Sequence, residues 1–220
     1  MVGGSTPREG ERRWPMALAV LAAGVLYLFV PTDFQMSDGT HYAYPVVLVV
    51  FLVILVIGDP GRIDRESRWL RVTTGLLIAT VSASAAVSAV RLVIGILQKS
   101  DFTSPTQLLT LGAIVWTTNV IAFALWFWHL DAGGPAARAK GRTDDVAAFR
   151  FPEEDIPARM EAGWYPQFVD YFALSFNTGT AFSPTDVAPV RHWSTLALVG
   201  ESAISLILVA LVVARAVNVL

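Results

Sequence analysis

Apolar residues gather in five long blocks separated by shorter polar intervals. The blocks run over about 14–30, 44–58, 70–97, 107–130 and 193–217. At 1.5 Å per residue a membrane crossing takes about 20 residues, so each block predicts a transmembrane helix. The second is slightly short and borrows Ala43 or its interfacial neighbours. Trp14, Tyr27, Tyr42, Tyr44, Trp69, Trp126, Trp128 and Trp193 cluster at block ends, where aromatic belts form. The first block follows Arg8, Arg12 and Arg13, as the apolar core of a signal peptide would. It ends in Leu28-Phe29-Val30-Pro31 without a small-x-small cleavage site, and it reads as a retained first span.

Composition supports that reading. Hydrophobic residues make up 54% of the 220 and charged residues 15%, where a soluble domain carries about 25% charge. The expected class is an all-α integral membrane protein forming one polytopic helical bundle. A net charge of −2 argues against nucleic acid, which needs a basic surface. The absence of cysteine excludes disulfides, thiolate metal sites and cysteine nucleophiles. No phosphate-cradling glycine loop, HExxH or GxSxG occurs, so no enzyme, metal centre or cofactor is expected. His41, His129 and His192 are far apart, near span ends, and read as interfacial.

Basic residues set sidedness. The N-terminal arm has three and the interval 31–43 none; 58–71 has Arg62, Arg65, Arg68 and Arg71. The interval 98–106 has Lys99, and 131–166 has five. The alternation 3, 0, 4, 1, 5 predicts a cytoplasmic N-terminus in a bacterial plasma membrane. The stretch 131–165 contains Gly133, Gly134 and Pro135 and the acidic run Glu153-Glu154-Asp155. It reads as a solvated cytoplasmic linker, with a docking site for a soluble partner as the alternative.

The segment 166–190 has a different pattern. Pro166 suits a first helical position, and Phe168, Tyr171, Phe172 and Ala173 recur at helical spacing up to Asn177. That helix is about half a bilayer long. It is expected to break at Thr178-Gly179-Thr180, followed by Ser183, Pro184, Thr185 and Asp186. Half-helix, polar turn and full helix is the layout of a re-entrant loop, which persists only against protein or a water-filled cavity. Thr178, Gly179, Thr180, Ser183, Thr185 and Asp186 are therefore candidates to line a path.

From Phe151 through Asp170, Tyr171 and Phe172 to Thr178-Gly179-Thr180-Ala181-Phe182 and Thr185-Asp186-Val187, the chain resembles a bacterial family of predicted membrane proteins. That family is defined by a domain of unknown function. More distantly the segment resembles the pore region of tetrameric potassium channels. There an Asp-x-x-Tyr-Phe-type pore helix precedes a threonine-rich filter, an acidic residue and an inner helix. The resemblance implies a pore. Thr178-Gly179-Thr180-Ala181-Phe182 stands where a potassium filter has TVGYG, so potassium selectivity is not implied. In a homo-oligomer a ring of Asp186 would favour an inorganic cation. The segment either re-enters, giving five crossings, or crosses, giving six.

Two ionisable residues lie deep within spans, where they are costly. Arg91 shares a helix face with Thr80, Ser84 and Ser88, and Glu201 shares one with Ser194 and Ser205. They are a candidate intramembrane ion pair, with Arg91 snorkelling to the outer interface as the competing outcome. Small-residue packing explains the same faces without transport. The reading is a channel-like or transport protein whose partner is the bilayer, against a non-transporting structural or regulatory membrane protein.

Overall fold

The computed structural model describes residues 9–36, 39–65, 67–98, 105–141, 147–180 and 186–219. Helices cover all five apolar blocks. They are α1 (Trp14–Leu28), α2 (Thr40–Gly58), α3 (Arg68–Leu97), α4 (Pro105–Leu130) and, after three shorter helices, α8 (His192–Val219). The shorter ones are α5 (Pro135–Ala139), α6 (Pro157–Glu161) and α7 (Phe168–Thr180). Prolines open α4, α5 and α6, where a missing N–H costs nothing. By length and composition α2, α3, α4 and α8 could each cross a membrane. The 15 residues of α1 make a shorter apolar helix.

The hub is α4. Of its most apolar stretch 67% is buried, against 28% for α2 and 22% for α8. It packs on α3, where the Trp126 indole donates to Ser82 Oγ at 2.8 Å, and on α7 and α8. Val46, Val50, Val53 and Ile57 of α2 and Leu196, Val199, Leu206 and Val213 of α8 are exposed. An apolar surface of that extent is what a bilayer covers. Trp14, Tyr42 and Trp69 are exposed at helix ends, as belt residues are. Tyr27, Tyr44 and Trp128 are not belt residues: all three are buried, the two tyrosine rings 4.3 Å apart.

Two antiparallel strand pairs close one end of the bundle. β1 (Glu11–Arg12) pairs with β2 (Arg62–Ile63), setting Glu11 opposite Ile63. β3 (Phe149–Arg150) pairs with β4 (Ala188–Pro189), setting Phe149 opposite Pro189. The interval 131–165 is therefore packed on the bundle in part, while Pro152 and residues 155–162 are exposed. Phe149 and Phe151 are buried and pack edge-on against Tyr171, with Phe127, Trp164 and Trp193 around them. The segment lacks a core of its own because it shares the bundle's.

The contacts of α7 fix its direction. Phe168 meets Trp128, Ser175 reaches Val120, and Gly179 reaches Trp116, so α7 runs antiparallel to α4. Ser175 meets Glu201, and Gly179 meets Ser205, so α7 and α8 run parallel. Two consecutive parallel helices need a connection that returns the length of the first. β4, against β3 and beside the start of α7, marks where that return ends.

Candidate functional site

The far end of α7 is helical, not broken. Thr178, Gly179 and Thr180 continue the helix and do not break it. The hydroxyls explain this: Thr178 Oγ1 donates to the Leu174 carbonyl at 2.8 Å and Thr180 Oγ1 to the Asn177 carbonyl at 2.9 Å. Gly179 supplies room. A Cβ there would stand 3.2 Å from Val120 and 3.3 Å from Ser205 Oγ, so a side chain at this position would require α4 or α8 to give by a few tenths of an ångström. Carbonyls at a helix end lack partners within the helix. Here neighbouring helices supply them: the Trp116 indole donates to the Gly179 carbonyl at 3.3 Å, and Ser202 Oγ to that of Thr178 at 3.4 Å. Thr178 and Gly179 are thus buried at a helix junction. Asp186 is exposed, two residues before β4, at the end of the bundle where α7 begins. Ser183 and Thr185 lie outside the described residues.

Beside that junction sits Glu201, fully buried on α8. The Ser175 hydroxyl lies between its Oε1 and the Val120 carbonyl, 2.8 Å away. Glu201 Oε2, Ser205 Oγ and Asn119 Nδ2 are buried and, among the described residues, without partners. Each such unmet group calls for an explanation that apolar packing does not give.

The expected pair of Arg91 with Glu201 does not form. Arg91 reaches the turn after α1, donating to the carbonyls of Asp33 at 3.1 Å and Met36 at 3.3 Å. Depth is the reason. Arg91 lies about 35 Å along α3 and Glu201 about 14 Å along α8, at 1.5 Å per residue from the same end of the bundle. The polar face of α3 serves the same turn, where Ser88 Oγ donates to the Phe34 carbonyl.

A second buried network, absent from the sequence reading, locks the opposite end of the bundle. Glu11 accepts from the Trp128 indole at 2.8 Å and from the Phe168 amide at 2.5 Å. Asp131 accepts from the Ala148 amide and from the Tyr171 hydroxyl, both at 2.5 Å. Arg138 donates to the carbonyls of Trp128 and Asp131 and lies 4.9 Å from the centre of the Tyr171 ring. Burial holds the Glu11 carboxyl above its ordinary range, against the opposing hydrogen bonds from Trp128 and Phe168. Burial likewise pushes Tyr165, whose hydroxyl donates to the Glu9 carbonyl, up to about 12. The arrangement ties β1, α4, α5 and α7 together and acts as a structural clasp.

Among the described residues no three acidic or histidine side chains converge as metal ligands. No protein-family model, curated protein or solved structure matches this chain.

Proposed function

We propose that the protein is a multi-pass membrane protein with a channel-like or transport role, in which Glu201 handles a proton or an inorganic cation. In this reading α7 enters the membrane from the cytoplasmic side as a half-length helix. Asp186 then lies on that same side, in a plasma membrane with the N-terminus inside. The observation that carries the proposal is Glu201 itself, an acidic side chain with no described cation beside it and one oxygen without a partner. Acidic residues inside spans are expensive and mark ion or proton pathways. The Ser175 hydroxyl has one proton and two acceptors beside it, so both contacts are made only when the carboxyl itself donates. That geometry suits a group that gains and releases a proton. The pore-region resemblance of 168–186 points the same way, and a ring of Asp186 in an oligomer would draw cations to the mouth.

One observation favours the non-transporting alternative. The Trp116 and Ser202 bonds to the last carbonyls of α7 are those of a packed helix end. Flux separates the two. Purified protein in liposomes carrying a pH-sensitive dye, with a potassium gradient and then a sodium gradient imposed, should show proton or cation flux above empty vesicles. Glu201→Gln keeps the shape and the Ser175 contact and should lower that flux at least tenfold. Wild-type protein that is correctly inserted and passes neither species establishes the structural reading.

A further inference from the structure

The end of the bundle that carries the clasp also holds a cavity of about 450 Å³, between the 58–71 turn, the start of α3 and the glycine turn after α4. Arg13, Arg65, Arg68 and Arg71 line it, and Asp59 is the one carboxylate among its described lining residues. Asp59 is already matched. It pairs with Arg13 at 3.2 Å, both side chains 8% exposed, and Arg13 also donates to the Asp59 carbonyl. Arg65 is anchored through Nη1 to the Gly58 carbonyl at 3.0 Å, which steadies the side chain without neutralising it. The side chains of Arg68 and Arg71 make no hydrogen bond or ion pair among the described residues. Arg65, Arg68 and Arg71 therefore border one cavity whose described lining holds no carboxylate besides Asp59, while the buried Arg13–Asp59 pair and His129 form part of its walls.

A preference for arginine on one side of a membrane accounts for the charges and not for their convergence. Side chains on an exposed turn could all point into water. Here they border a pocket within the usual range for small ligands. Planar guanidinium groups bind phosphate oxygens two at a time, which favours arginine for this anion. Arg68 and Arg71 also occupy the first turn of a helix long enough to cross a membrane, beside the half-exposed Trp69. That is the depth of lipid headgroups.

We propose that this cavity is a binding site for a phosphate group, presented by an anionic phospholipid headgroup or by a soluble phosphate compound. Melting of the full-length protein in an uncharged detergent, followed during titration with phosphatidylglycerol, phosphatidylcholine or inorganic phosphate, tests it. Phosphatidylglycerol should raise the Tm saturably, at a concentration at least tenfold below that at which phosphatidylcholine acts. The double variant Arg68→Gln/Arg71→Gln should weaken that response about tenfold. Arg12→Gln/Arg159→Gln, which removes two exposed charges outside the cavity, should leave it unchanged. Saturable stabilisation by inorganic phosphate, lost in the same double variant and without a lipid effect, assigns the site to a soluble phosphate compound. Ala136→Trp fills the cavity from its opposite wall at constant charge and should abolish the response independently. No preference for any phosphate source, equal loss in the Arg12/Arg159 pair, or an unaltered response in Ala136→Trp would each overturn the proposal.

Discussion

Glu11 joins the first strand to two helices more than a hundred residues away, through one indole and one amide proton. Replacing it by alanine strands both donors in the core, at about 1–3 kcal/mol apiece. Glu11→Ala should therefore lower unfolding stability by about 2–6 kcal/mol, measured by denaturant titration in detergent. The same residue predicts a pH dependence. Its folded acidity is weakened from an ordinary value near 4.5, so the neutral acid is favoured in the folded state. That contribution is complete below pH 4.5 and is lost as the pH rises through the folded value. Wild type should lose stability relative to Glu11→Gln over that rise; a constant difference would show that the carboxyl does not titrate there. None of this was legible in Glu9-Gly10-Glu11-Arg12-Arg13, which reads as a charged arm, because the partners of Glu11 are remote in sequence. Arg91 and Glu201 fail for a related reason. Periodicity assigns a residue to a helix face, whereas pairing needs equal depth as well.

Among the elements, α4 and α8 approach closely at Gly112, where a Cβ would stand 2.8 and 2.9 Å from the two Val212 methyl carbons. Gly112→Leu should overpack this contact and cost about 1–3 kcal/mol, and Val212→Ala in the same chain should recover part of it. Equal stability of Gly112→Leu and wild type would mean that the two helices are not held at this distance. The long helices were legible because twenty or more apolar residues leave little alternative. The interval after α4 was not, because Phe149, Phe151 and Trp164 are isolated aromatics in a polar stretch. Their partners come from α4, α7 and α8. Residues 178–180 were misread as non-helical for a local reason: a threonine–glycine–threonine run looks like a helix breaker, whereas its hydroxyls here bond back to the preceding turn.

For the whole molecule, the decisive feature is that α7 and α8 are parallel although consecutive in the chain. A sixth crossing would put the two ends of segment 167–186 on opposite sides of the membrane. A half-length α7 with Asp186 at the end of the bundle where that helix begins puts them on one. Gln167 and Asp186 are exposed at these ends, and the chain has no native cysteine to confuse labelling. Single variants Gln167→Cys and Asp186→Cys, with Thr180→Cys, Ser183→Cys and Thr185→Cys between them, are challenged in oriented vesicles. The thiol reagent is water-soluble and membrane-impermeant, and it is applied to one face at a time. Reaction of Cys at 167 and 186 from the same face, with Cys at 180, 183 and 185 also reacting from it, is the predicted result. Reaction of 167 and 186 from opposite faces, or protection of 180, 183 and 185 from both, would contradict a hydrated segment that enters and returns beside Glu201.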